Sequence, residues 1–435
     1  MRRLATALLS ALAAAAAVPV ATFATEGGAI NSGDTAWMLA ATALVMIMLP
    51  GLALFYGGLV RRKNVLSTIM HSFFGLALVS VIWVLVGFSL AFGPDVNGWG
   101  VVGNLDYVGF FHVGLAPSPT YATTIPFVLF AAFQLMFAAI TPALITGAFA
   151  ERKRFASFVL FTVLWSVLVY SPIAHWVWAT DGWLFKLGAL DFAGGTVVHA
   201  SSGLSALIVA ILIGRRVVNG DRMEPHDVPM TVLGAGLLWF GWFGFNAGSA
   251  VAASGLAASA FIVTNTAAAA ATLTWVGASY VHKRKVSVIG AACGAVAGLV
   301  AITPASGFVT PGGAILIGLV AGGLCYSATL LRERVKVDDA LDVFAVHGVG
   351  GVFGAIATGV LATSAVQAGY KGLIDGNAGQ VVTQLIAVGA TIAYAVVATF
   401  VIVKVVDAIL GIRISARDEE MGIDLAVHGE VAYQA

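Results

Sequence analysis

Phe192-Ala-Gly-Gly-Thr-Val-Val-His199-Ala-Ser-Ser-Gly-Leu-Ser-Ala-Leu-Ile-Val-Ala-Ile-Leu-Ile-Gly214 decides the fold of this chain. Apart from one imidazole the stretch is almost wholly apolar, and it can cross a bilayer, which takes about 20 residues. Val343-Phe-Ala-Val-His347-Gly-Val-Gly-Gly-Val-Phe-Gly-Ala-Ile-Ala-Thr-Gly-Val-Leu361 repeats the pattern, again with one histidine at depth. A polar ring inside hydrocarbon is costly and marks a transport path or relay. The ordinary alternative is hydrogen-bond glue between helices.

The rest of the chain has the same character. Of 435 residues, 60% are hydrophobic and 10% charged, where a soluble protein carries roughly 25% charged residues. The composition specifies an all-α integral membrane protein. A formal net charge of +1, with no basic block longer than three residues, gives no reason to expect nucleic acid as a partner. Cys293 and Cys325 lie in apolar spans and read as small buried hydrophobes, not as a disulfide framework. Residues 1–24 have a basic start, a short Ala-rich core and small residues at Thr22 and Ala24, the pattern of a signal peptide. A short extra membrane helix is the alternative there.

Beyond residue 30, eleven apolar spans are expected, at roughly 35–60, 67–93, 122–149, 155–178, 194–213, 229–250, 255–281, 287–303, 311–331, 343–364 and 381–410. They make residues 31–410 one membrane domain. Five loops carry three basic residues each: Arg61 to Lys63, Arg152 to Arg154, Arg215 with Arg216 and Arg222, Lys283 to Lys285, and Arg332 with Arg334 and Lys336. The opposite loops hold only Lys186 and Lys371. The positive-inside bias puts the basic loops and the tail, residues 411–435, in the cytoplasm, with the N-terminus outside after signal cleavage.

Ten of the spans divide into five plus five. An odd-numbered repeat inserts its second copy upside down, so the expected architecture is two inverted five-helix repeats plus a bracing eleventh helix. Gly51-Leu-Ala-Leu-Phe-Tyr-Gly-Gly in the first span echoes Gly241-Trp-Phe-Gly-Phe-Asn-Ala-Gly in the sixth. His199 and His347 fall in the fifth and tenth spans, so a pseudo-two-fold would bring them together near the midplane. Glue histidines need not obey that symmetry.

Facing neutral imidazoles could share one hydrogen bond and still offer a polar edge to a small solute. A bare cation would meet a large desolvation cost there. A metal would want three or four ligands, and no further His or carboxylate lies at that depth. No His-Glu-x-x-His, Gly-x-Ser-x-Gly or Walker sequence occurs, which argues against an enzyme or a nucleotide-driven pump. Near the outer ends, Phe133 and Phe137 share one helix face, and Trp178, Trp242, Phe245 and Ser249 cluster by position. Aromatic faces attract cations, although an interfacial aromatic belt is the common reason for such rings. Asp191 precedes the fifth span as an N-cap or as negative field beside a cation vestibule, and Asp342 precedes the tenth in a similar position.

Taken together, Pro50-Gly-Leu-Ala-Leu-Phe-Tyr-Gly-Gly-Leu59, Ala148-Phe-Ala-Glu-Arg152, Asp191-Phe-Ala-Gly-Gly-Thr-Val-Val-His199, Gly241-Trp-Phe-Gly-Phe-Asn-Ala-Gly-Ser249, Asp342-Val-Phe-Ala-Val-His-Gly348 and the tail from Gly422 to Tyr433 resemble the ammonium transporter (Amt/Mep/Rh) family, in its bacterial Amt form. The resemblance implies a homotrimer with one path per protomer, no cofactor, and ammonium uptake across the cytoplasmic (inner) membrane. It also implies roles: Phe137 and Phe245 as a stacked gate, Trp178, Phe133 and Ser249 as external ammonium recruitment, His199 and His347 as the pore pair, and Asp191 as the vestibule carboxylate. A trimeric P-II nitrogen-regulatory protein is the implied cytoplasmic partner, beside membrane lipid. Cys293 departs from the family, where many relatives have Ser. Two rivals remain: an ammonium sensor signalling through its tail, and a channel for water or glycerol, for which the paired Asn-Pro-Ala motifs are missing.

Overall fold

The computed structural model describes residues 29–217 and 223–433. The expected signal peptide, residues 1–24, lies outside the described residues. Among the described residues, eleven helical spans are long and apolar enough to cross a membrane: α1 Ser32–Leu59, α2 Arg62–Phe92, α3 Phe127–Phe149, α4 Phe155–Leu187, α5 Gly195–Ile213, α6 Val228–Gly248, α7 Gly255–Lys283, α8 Val288–Ala305, α9 Pro311–Val335, α10 Phe344–Leu361 and α11 Gly379–Leu410. Their outward faces carry large exposed apolar residues such as Leu233, Leu273, Leu316 and Val397, as a surface against lipid requires.

Polar side chains set the starts. Asn31 accepts from Gly33 N at 2.8 Å, Asp227 from Met230 N at 2.8 Å and Ser287 from Gly290 N at 2.9 Å, each satisfying amides that the first turn leaves without a partner. α4 leaves its helix at Trp178, where the expected span ends, and resumes as a separate turn over Trp183–Leu187. α2 starts earlier than apolarity alone predicts, at Arg62, because a polar partner outside the hydrocarbon supports its first turns. In α2 that partner is remote: Asp424 of the tail accepts from Leu66 N at 3.0 Å and Ser67 N at 2.8 Å.

Spans equivalent in the two halves pack on one another, α1 along α6 and α5 against α10, as a pseudo-two-fold axis between them requires. The α5–α10 crossing is closed by glycine. A Cβ on Gly203 would stand 2.0 Å from Gly348 N, and one on Gly351 would stand 2.8 Å from both Ala200 N and the His199 Cβ. α11 braces the assembly as expected. Gln384 exchanges hydrogen bonds with both backbone groups of Leu190 and donates to Ala355 O, while Trp165 of α4 donates to Ser205 of α5 and Thr399 of α11.

The outer connection between α2 and α3 is more ordered than its sequence suggested. It contains a short antiparallel pair, β1 Pro117–Ser118 and β2 Ala122–Pro126. At the other end, the basic loops and the tail form one plate. Arg61 pairs with Glu151 at 2.8 Å, Arg216 with Asp338 at 2.8 Å and Arg413 with Glu419 at 2.8 Å. Backbone bonds from Arg154 N to Ile412 O and from Ile414 N to Arg152 O fasten the tail, which adds a short helix, α12 Ala416–Met421. Tyr433 anchors the tail end by its hydroxyl, 3.2 Å from His226 Nε2. Leu425 is 52% exposed, and the buried contact there is made by its neighbour Asp424.

Candidate transport path

The path is built around the two histidines. Both sit in single π-helical turns, His199 in Gly195–Ala200 and His347 in Phe344–Gly348. Such turns are rare and rotate side chains off the regular α-helical register. Here they aim the two rings at each other across the glycine crossing, with the Nδ1 atoms 3.2 Å apart and the ring planes inclined by 26°. One Nδ1 must donate and the other accept, so the pair holds opposite tautomers. His199 Nε2 is buried without a partner and remains free for a solute. The cavity beside the pair measures about 10 Å³ and is walled by Leu52, Phe55, Leu144, Leu238, Trp242 and Val296 among others. It holds one molecule the size of water.

Trp242, placed near the outer end by sequence position, stands at depth. It stacks on His199 at 5.4 Å and donates from Nε1 to Thr303 Oγ1 at 2.8 Å. Above it, Phe137 and Phe245 close the path with centroids 4.3 Å apart, and Phe245 also stacks on His199 at 5.9 Å. Phe137 meets Trp178 edge-on at 5.7 Å on its outer side.

Outside that seal lies a vestibule of about 230 Å³, lined by Phe92, Tyr121, Gln134, Trp178, Thr180 and Ser249 with several other rings. Trp178 donates from Nε1 to Asp191 O at 2.9 Å, which fixes the indole plane and leaves its π face toward the cavity. The Ser249 hydroxyl donates to Phe245 O at 2.9 Å, so its lone pairs are the part available to a cation. Phe133 is not among the lining residues. It is fully buried and supports Phe137 from behind at 4.9 Å. Asp191 is buried as well, and its carboxylate is turned into the start of α5. It accepts from the backbone amides of Gly194, Gly195 and Thr196 and from the Thr196 hydroxyl. The cap reading therefore describes its contacts, and its negative charge sits beside the vestibule wall.

The counterpart of Asp191 is Asp339, not Asp342. Asp339 is buried and accepts from Phe344 N, the first residue of α10, at 2.7 Å. Asp342 pairs with Arg332 at 2.5 Å. Sequence reading also passed over Gln134, whose Oε1 is buried without a partner and whose side chain lines the vestibule. A lone amide between Phe133 and Phe137 was the available signal. Cys293 is half-buried, and no group of three or more metal-ligating side chains occurs among the described residues.

Residues 36–433 match the model of the Ammonium Transporter Family. The chain belongs to that family. It is 51% identical to the ammonium transporter of Bacillus subtilis, over 93% of this chain and 99% of that one. It is 49% identical to ammonium transporter Amt1 of Archaeoglobus fulgidus, over 93% and 100%. Among solved structures it is similar to Saccharomyces cerevisiae Mep2, with a TM-score of 0.84, 40% identity, and 89% and 88% of the two chains covered. A protein described as a sensor Amt protein superposes with a TM-score of 0.83 at 31% identity, covering 91% and 98%. The family is one of transporters, not enzymes, and its eleven-helix membrane fold is the one seen here.

Proposed function

We propose that this protein carries ammonium nitrogen across the bacterial cytoplasmic membrane into the cell. Ammonium is drawn to the outer vestibule by the faces of Trp178 and neighbouring rings and by the lone pairs of Ser249. It gives up a proton at the Phe137–Phe245 seal. Ammonia then passes His199 and His347, which replace its lost water contacts with one donor and one acceptor. Potassium and sodium cannot shed a proton, and a cavity walled by hydrocarbon and neutral rings offers them no substitute for their hydration. Phe133 acts by holding Phe137, and Asp191 by holding Trp178 and the start of α5 while adding negative field.

The observation that carries this reading is the buried pair of imidazoles 3.2 Å apart beneath two phenyl rings whose centroids are 4.3 Å apart and whose planes are tilted by 38°. In the cell the mature chain would begin outside after cleavage near residue 24, place its tail in the cytoplasm, assemble as a homotrimer among lipids, and accept a P-II nitrogen-regulatory protein on its cytoplasmic plate. The test is the double variant His199→Ala, His347→Ala in proteoliposomes given an ammonium step. Selective uptake should vanish, or potassium should begin to pass. Full ammonium flux with potassium still excluded would overturn the proposal.

A further inference from the structure

The outer vestibule has two walls from different parts of the chain. Phe92, at the end of α2, stands on one side, and Trp178 and Thr180, at the outer end of α4, on the other. One buried side chain joins them. His175, fully buried on α4, places Nδ1 3.1 Å from Ala91 O, next to Phe92, and Nε2 3.1 Å from Asp95 Oδ1 and 3.8 Å from Asp181 Oδ1. His175, Asp95 and Asp181 have no part in the path described above.

Both ring nitrogens of His175 face oxygen. Ala91 O only accepts, so Nδ1 donates to it. Nε2 meets Asp95 Oδ1; burial would raise that carboxyl, but the Gly100 and Val101 amides and the His175 ring hold it below its ordinary value. Asp181, the second carboxylate near the ring, directly follows the vestibule residue Thr180.

The same contact sews a loop onto α4. Asp95 N donates to Asp181 Oδ2 at 2.6 Å, Val101 N to Asp95 Oδ1 at 3.0 Å, Trp176 Nε1 to Val101 O at 2.8 Å, and Trp183 N to Gly100 O at 3.0 Å. Trp178 lies three residues after His175 and three before Asp181, in the middle of the clamped turn.

We propose that His175 is a positioning residue for cation recruitment: held between Ala91 O and the carboxylates of Asp95 and Asp181, it clamps the α2 wall of the vestibule to the α4 wall and so sets where the Trp178 face stands. This rests on recruitment at the vestibule and adds the part that fixes its geometry. Losing the clamp misplaces a recruiting ring that meets the phenyl seal only edge-on, and leaves the contacts of the histidine pair and of Phe137 with Phe245 in place. The signature is a change in half-saturation at nearly constant maximal rate.

The test uses the full-length protein in proteoliposomes, with initial ammonium-driven flux measured against concentration. His175→Gln leaves Ala91 O without its donor and weakens the contact with Asp95. It should raise half-saturation about 3- to 10-fold, within the range one cation–π contact supplies, while the maximal rate stays within about twofold. Asp95→Ala should do the same. Asp95→Asn keeps the oxygen that accepts from Val101 N and from His175, and should restore most of the affinity. That rescue does not follow if the site merely fills space. Trp178→Leu runs alongside and should raise half-saturation by roughly 2- to 30-fold. An unchanged Trp178→Leu curve would sink recruitment itself. A shifted Trp178→Leu curve with unchanged His175→Gln and Asp95→Ala curves would sink the clamp alone, as would a loss confined to maximal rate. If His175→Gln fails to insert, the Asp95 pair decides the matter.

Discussion

Asp191 and Asp339 do the same job at the starts of α5 and α10, yet their surroundings differ. Asp191 saturates its oxygens with three amides and a hydroxyl. Asp339 is fully buried, and burial, with the charge of Asp342 nearby, pushes its carboxyl up to about 6 from an ordinary 3.8. A raised carboxyl favours the folded state only while it holds its proton. Between these two values the folded protein binds more protons than the unfolded, so stability falls as pH rises, and above about 6 the whole cost is present. A shift of about two units corresponds to about 3 kcal/mol at full burial. Asp339→Asn keeps an oxygen for Phe344 N and removes the charge. Its thermal midpoint in detergent should exceed that of the parent at pH 8, and the gap should narrow as pH falls through about 6 and close below 3.8. A gap independent of pH would show that burial of this charge is not what Asp339 costs the fold.

At the scale of elements, the sequence was most legible where one physical force acted alone. Hydrocarbon thickness sets the length of apolar runs, so all eleven spans and the pairing of His199 with His347 could be read from residue order. Helix ends were less legible because they depend on partners far away in sequence: nothing near Arg62 announces that Asp424 will cap α2. The π turns were invisible, since hydrophobicity does not record register. Trp242, on the regular helix α6, was expected near the outside from residue order alone and stands beside His199, and Asp342 was expected to mirror Asp191 where Asp339, three residues earlier, does. Glycine at the α5–α10 crossing was visible only as general small-residue packing. Its role is specific, because a Cβ at 203 would stand 2.0 Å from backbone nitrogen. Gly203→Ala must spread the crossing. Such overpacking costs about 1–3 kcal/mol, and it also parts the imidazoles, so both thermal midpoint and ammonium flux should drop. Gly277, on α7, faces open space, and Gly277→Ala should leave both intact. Equal effects at the two positions would deny the crossing its role in holding the histidines together.

At the scale of the whole molecule, the two ends differ in construction. The outer end is a vestibule of rings stitched by one imidazole. The opposite end is a plate in which separate loops pair their charges through Arg61–Glu151 and Arg216–Asp338, while the tail pairs Arg413 with its own Glu419. The tail belongs to that plate: Asp424 supplies the first turn of α2 with its cap, and Ile423 N donates to Asn64 Oδ1 at 2.9 Å. Removing a cap of this kind costs about 0.5–2 kcal/mol, enough to loosen the inner end of α2 without unfolding eleven packed spans. A rigid plate also suits a partner that docks as a body. In the proposed homotrimer a three-fold P-II protein would meet three copies of the plate at once, and three weak contacts would act as one strong one. Truncation at Gly411 should therefore lower two readouts together, ammonium flux in vesicles and retention of P-II protein on membranes after an ammonium shock. Asp424→Ala should move both in the same direction by a smaller amount. Undiminished P-II retention after truncation would place the docking surface elsewhere, and unchanged flux would make the tail a passenger on the plate instead of one of its parts.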